Sequence, residues 1–163
     1  MTATSENLLR AGLRGLKKTT AATFQAVSPD SLMSHLHRDI HDDDQSVYEY
    51  IDSATEYAEQ YQNRCLCSSA WEATYDYFPD VFSVPIPPLV SVQEIAYTDS
   101  AGDAQVLSSS LYVVDTHSQP GRIALAYGQV WPSIQEKIGC VVVKFTAGYA
   151  SASVVPARTR QAI

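Results

Sequence analysis

The sequence predicts an α+β fold, with helices in its first half and antiparallel strands after them. Three observations carry this. Val47, Ile51, Ala54, Ala58 and Tyr61 recur at spacings of four and three, the stripe of one amphipathic helix. After Arg64 the period drops to two: Trp71, Ala73, Tyr75 and Tyr77 alternate with Glu72, Thr74 and Asp76, as on a half-buried strand. Two turn signatures, "DSAGD" and "HSQPG", then separate apolar runs in the manner of hairpins. A chain of 163 residues, 45% hydrophobic and 18% charged, suits one domain, or one domain carrying an insertion, with a real core. No apolar run approaches the roughly 20 residues of a membrane helix, so the expectation is a soluble chain.

The elements follow in order. In "SENLLRAGLRGLKK", Leu9, Leu13 and Leu16 fall on one helical stripe beside Arg10, Arg14 and Lys17, and Ser5 is an N-cap candidate. This basic, acid-poor segment has the composition of a transit peptide or a membrane-surface helix. The plainer expectation is a short arm that orders against a neighbouring subunit, followed by a linker through "TTAATFQAVSPD". At "SPDS", Ser28 caps a helix, Pro29 fits its first position and Asp30 suits the positive end of the dipole. Leu32, Met33, Leu36 and Ile40 form its apolar face. A second helix begins near Asp44, with Glu49, Asp52, Glu56 and Glu59 expected to face away from the stripe. Asp42 and Gln45 have capping-box spacing. Such a cap contributes about 1 kcal/mol, whereas each large stripe residue contributes about 1.5–3 kcal/mol. Packing therefore holds this helix and the aspartates set where it begins.

Beyond "WEATYDYF", the three prolines of "VPIPPLVSV" predict an edge or extended lead-in. "SVQEIAYTDSAGDAQVL" predicts a hairpin with strands at Val92–Tyr97 and Gln105–Leu107, and "LYVVDTHSQPGRIAL" a second one. "CVVVKFTAGY", residues 140–149, reads as a central strand. Gly121 and Gly148 are expected to serve backbone geometry. "VPARTRQAI" starts a helix near Pro156, and its two turns need packing to persist, so either a truncated helix or docking onto a partner is expected.

Candidate chemistry is sparse. "HLHRDIHDDDQ", residues 35–45, holds three of the four histidines and four aspartates. Its "HRD" opens a kinase catalytic loop only in letters: Asp44 stands where the asparagine belongs, and the Gly-rich loop and the DFG are absent. The alternative function is a small metal-dependent enzyme using His35, His37, His41 and Asp42–Asp44. The favoured reading is a capped, solvated turn between two helices. Cys65 and Cys67 are too close for a structural zinc knuckle, and only Cys140 can join them. Three cysteines form no closed disulfide set, which points to a reducing compartment. His117 stands alone in a turn. The sequence thus assigns no catalytic, cofactor-binding or metal-binding residue and predicts no enzyme. The formal charge of −7 is uneven, residues 39–80 holding eleven acids against Arg64 alone. A body so charged does not grip nucleic acid by neutralising phosphates.

Read together, "HLHRDIHDDD", "YIDSATEYAEQYQNRCL", Trp71, "FP" at 78–79, "PPLVSVQEIAYTDSAG", "YVVDTHSQPGRIALAYGQVWP", "VVVKFTAGYA" and "VPARTRQAI" resemble the head–tail connector (adaptor) proteins of long-tailed phages and of phage-derived gene transfer agents. The resemblance spans roughly residues 28–163. The "D-x-x-S-x-P-G-R-I" hairpin, the "WP" after it and "FTAGY" carry most of it. It implies a small helical bundle with a β-rich, sandwich-like antiparallel insertion between the second and the C-terminal helix. The expected division is a basic arm and linker at 1–27, the helical part at 28–66, the insertion at 67–150 and the start of the C-terminal helix at 151–163. The family usually continues that helix beyond the position of Ile163, and the region before Ser28 has no family counterpart. The resemblance also implies a ring of about twelve copies beneath the portal protein. Its partners would be further copies of itself, the portal, a head-closure (stopper) or tail-completion protein, and genomic DNA passing without sequence-specific contact. Such a protein sits in the virion neck, and in the host cytoplasm before assembly.

Overall fold

The structure is a computed structural model that describes residues 12–36 and 44–163. It is α+β, as expected. A five-stranded antiparallel sheet has the order β1 (Leu13–Lys18), β2 (Ser69–Tyr75), β8 (Val141–Ala147), β4 (Leu89–Thr98), β5 (Ala104–Val106). A three-stranded antiparallel sheet has the order β3 (Val81–Val84), β7 (Gly121–Leu125), β6 (Tyr112–Asp115). The helices are α1 (Pro29–Leu36), α2 (Asp44–Gln62) and α3 (Ala157–Ala162).

The apolar run of β8 lies at the centre of its sheet, paired with both β2 and β4; Phe145 stands opposite Trp71 on one side and Val92 on the other. Val141, Val143, Phe145 and Ala147 are buried, while Val142, Lys144 and Thr146 on the opposite face are half-buried. The buried row joins Tyr75, Phe82, Ile95 and Ile123 in one apolar cluster drawn from both sheets. Both hairpins form where the turn residues place them, as β4–β5 and β6–β7.

The first segment differs from expectation. Leu13–Lys18 is not helical but an edge strand, pairing Leu16 with Ala73 and Lys18 with Trp71. Gly12 and Gly15 lower helix propensity here, and the exposed edge of β2 offers backbone partners that a lone helix lacks. Residues 1–11 lie outside the described residues.

Ser28 caps α1, its Oγ accepting from the Ser31 N–H at 3.3 Å. The proposed Asp42–Gln45 box lies outside the described residues. α2 ends at Asn63, whose φ of 49° is left-handed, and the Arg64 N–H then donates to the Glu59 carbonyl. Ile51 is buried at 2% exposure, but Tyr61, expected on the same face, is 83% exposed. Glu59, expected outward, turns in and accepts from the Leu66 N–H at 2.7 Å and the Cys67 N–H at 3.4 Å. It thereby satisfies the backbone where the chain leaves the helix for the sheet. A smaller apolar cluster of Ala26, Leu66, Cys67 and Val155 packs with Phe24, Ala58, Tyr149 and Ile163, which supplies the packing that the six-residue α3 needs. Ile51→Ala should therefore cost about 2–5 kcal/mol, and Tyr61→Ala no more than about 0.5 kcal/mol; urea unfolding of both variants checks the assignment of this face.

Candidate functional site

The sequence motifs converge on three structural junctions. In "D-x-x-S-x-P-G-R-I", Asp115 ends β6 and its carboxylate closes the turn. It accepts from the His117 N–H at 3.0 Å, the Ser118 N–H at 3.1 Å, the Ser118 hydroxyl at 2.5 Å and the Arg122 guanidinium at 2.7 Å. His117 itself is exposed and contributes its backbone to this turn. Gly121 is required for contact, because a Cβ there would lie 2.6 Å from the Leu89 side chain. Ile123 enters the core. The first hairpin uses the same device: Asp99 accepts from the Ala101 and Asp103 N–H groups, both at 2.9 Å, and from the Gln105 side chain at 3.0 Å.

These donors hold the Asp115 carboxyl well below the usual carboxylate range, Ser118 contributing most and Arg122 next. A depressed folded-state value means stability that is present above the unfolded value near 4 and lost as pH falls below it. The urea midpoint of the wild type should drop through that window, and Asp115→Asn should lower the midpoint at neutral pH and flatten the acid limb.

The second junction joins "FP" to "WP". Trp131 Nε1 donates to the Pro79 carbonyl at 3.0 Å, and its ring stacks on Phe78 at 4.8 Å with an interplanar angle of 6°. The third joins the end of α2 to both motifs. Arg64 donates to the Tyr149 hydroxyl and to the Gln119 side chain, each at 2.9 Å. "HSQPG" and "GY" are thus tied to one guanidinium, a link across 85 positions that no local pattern shows.

None of these groups is arranged for bond-breaking chemistry. The cysteines are free and buried; Cys65 Sγ donates to the Cys67 carbonyl and Cys140 Sγ to the Asp76 carbonyl. Burial raises all three thiols, Cys67 to about 11, so at neutral pH they stay protonated and are poor nucleophiles. Among the described residues, no three His, Cys, Asp or Glu side chains stand together as a metal site. His37, His41, Asp42 and Asp43 lie outside the described residues; His35 belongs to the last turn of α1 and Asp44 opens α2.

The surface features that stand out lie on and beside α2. Tyr50, Tyr57 and Tyr61, spaced seven and four apart, project from one stripe with 72%, 72% and 83% exposure. The rings of Tyr57 and Tyr61 stack at 6.5 Å. Glu49 and Glu56, seven apart, form an exposed row about 100° round the helix from these rings. On the helix's other side, a groove of about 750 Å³ opens between α2, residues 21–25 and the sheet, with Leu16, Trp71 and Ile86 among its apolar lining and Asp52, Glu59 and Lys18 among its charges; Glu56 of the acidic row also borders it.

No family model matches the chain, and no curated protein sequence matches it significantly. Solved structures do. A chain in "Neck of empty GTA particle computed with C6 symmetry" shares the fold with a TM-score of 0.70 and 23% identity, covering 88% of this chain and 76% of that one. A chain in "Virion of native gene transfer agent (GTA) particle" matches with the same TM-score and coverage at 22% identity. A third, from "Neck of native GTA particle computed with C12 symmetry", gives 0.66 at 22% identity, covering 88% and 75%. The fold is shared with neck chains of gene transfer agent particles, the setting to which the ordered motifs point.

Proposed function

We propose that the chain is a structural protein of the virion neck: a head–tail connector, or adaptor, that forms a ring under the portal, joins capsid to tail and lets DNA pass. The observation that carries the reading is the fold likeness to neck chains over 88% of this sequence. It is supported by the "D-x-x-S-x-P-G-R-I", "FP", "WP" and "GY" motifs, whose side chains serve as structural clasps in the described residues. The C12 and C6 symmetries of the neck structures favour a cyclic assembly of many copies, a dodecamer for preference.

In this reading α1, α2 and α3 are the helical part that builds the ring wall. The strand-rich insertion, residues 67–150, contacts neighbouring copies and the next tail component, a head-closure or tail-completion protein. The ends of the chain reach the portal. The excess of acids suits a conduit, because like charge keeps passing DNA from adhering. No residue carries a chemical step.

Deleting the coding sequence in a particle-producing cell is the test. Filled heads without tails, rescued by the chain supplied in trans, are expected. Complete tailed particles whose necks lack no density would overturn the assignment.

A further inference from the structure

We propose that the acidic row of α2, Glu49 and Glu56, docks head-to-tail on the arginine-bearing α3 of the next copy. This rests on the ring reading above and names the surfaces that make the ring.

α2 carries Asp44, Glu49, Asp52, Glu56 and Glu59 and no basic residue. Glu49 and Glu56 accept only from Gln45 and Gln60 of their own helix, and neither forms an ion pair with a described residue. A row of exposed carboxylates suits a guanidinium, which forks the carboxylate.

The chain itself supplies that group. Among the described residues, Arg14 is paired with Asp76, Lys18 with Glu59, Arg122 with Asp115 and Lys144 with Glu94. Arg64 is held by Gln119 and Tyr149. Arg158 and Arg160 of α3 are exposed and have no such partner. They stand on either side of the half-buried edge formed by Thr159 and Ile163, so each guanidinium is open to solvent. Lys17 and Lys137 are also unpaired with any described residue, but they stand singly and lack the planar fork that matches a carboxylate.

The sign of the two patches fixes the polarity of the contact. An α2 face set against its own copy would oppose acids to acids. Acidic α2 against basic α3 uses two different surfaces, the heterologous kind of contact from which a cyclic ring is built when the rotation between copies closes.

Charge reversal tests this in the full-length chain, with assembly followed by sedimentation and electron microscopy. One variant carries Glu49→Lys and Glu56→Lys, the other Arg158→Glu and Arg160→Glu. Each alone should lower ring formation by at least about tenfold. Mixing the two should restore rings, because alternating copies present opposite charges at every junction; a chain carrying all four changes should assemble unaided. All four residues are exposed, so melting should match the wild type. Should a reversed chain unfold, Glu49→Gln with Glu56→Gln reads the same contact in graded form. Wild-type rings indifferent to every change, or a mixture that stays dissociated, would overturn the contact while leaving the neck assignment standing. A wild type that remains monomeric at all concentrations and beside its neck partners would overturn both.

Discussion

Gly148→Ala is expected to destabilise the chain by roughly 2–6 kcal/mol, of the 5–15 kcal/mol typical of a domain. Two costs add. Gly148 has φ +112°, and holding an L side chain in such a sparsely populated region costs about 1–3 kcal/mol. The new Cβ would also sit 2.8 Å from the carbonyl carbon and oxygen of Cys67 and from the Ser68 nitrogen. Those are backbone atoms that cannot swing aside, and crowding of this kind costs about 1–3 kcal/mol. The Gly148 N–H donates to the Pro88 carbonyl and the Ser68 N–H to the Tyr149 carbonyl, so the strain falls where β2, β8 and the lead-in to β4 meet. Gly128→Ala is the matched control: φ is +75° with nothing within 4 Å of the added carbon, so only the conformational cost of about 1–2 kcal/mol applies. Urea midpoints of the two variants separate clash from dihedral strain. Equal midpoints would mean that the junction relaxes freely and does not position Tyr149 for Arg64.

The same residues show what a sequence can and cannot disclose. The helical period located α2, yet it misplaced Tyr61 and Glu59. The two lie ten and eight positions from Ile51, which at 100° per residue puts each about 80° from the buried centre, on opposite sides. Period alone gives them the same tilt. The tie is broken by the unpaired N–H groups of Leu66 and Cys67, which need an acceptor and draw in the carboxylate. β1 was misread for a related reason. Leu9, Leu13 and Leu16 fit a helix in isolation, and only the open edge of β2, more than fifty positions away, makes a strand the better choice. The short β3 was hidden among prolines, where four residues carry too little pattern to declare themselves. The hairpins were legible because Asp99 and Asp115 act on N–H groups within a few residues of themselves. The Arg64 links and the unpaired arginines of α3 were not, because both follow from which charges the closed fold has already used.

Phe82→Ala should be as damaging, costing about 3–5 kcal/mol. Phe82 is fully buried in β3, with its ring edge-to-face against Tyr75 at 4.9 Å and Trp131 at 5.6 Å. The surrounding rings are fixed in turn, since Phe78 stacks on Trp131 and the indole N–H is held by Pro79. That rigidity prevents the site from collapsing around the missing ring, which places the cost at the upper end for a large-to-small change. Trp131 reports the loss directly: with only Trp71 as a second indole, its emission should shift to the red and its near-ultraviolet dichroism weaken before the chain unfolds. The connection from β7 to β8 bears Tyr127, Val130 and Ile138 fully or largely exposed, and Trp131 anchors it to the core. On the proposed neck role, Phe82→Ala that still folds at low temperature should therefore enter necks less efficiently than its residual stability allows, whereas Ile51→Ala of similar stability leaves that loop in place. Equal incorporation of the two would show that the loop makes no contact in the assembled neck, and that stability alone governs entry.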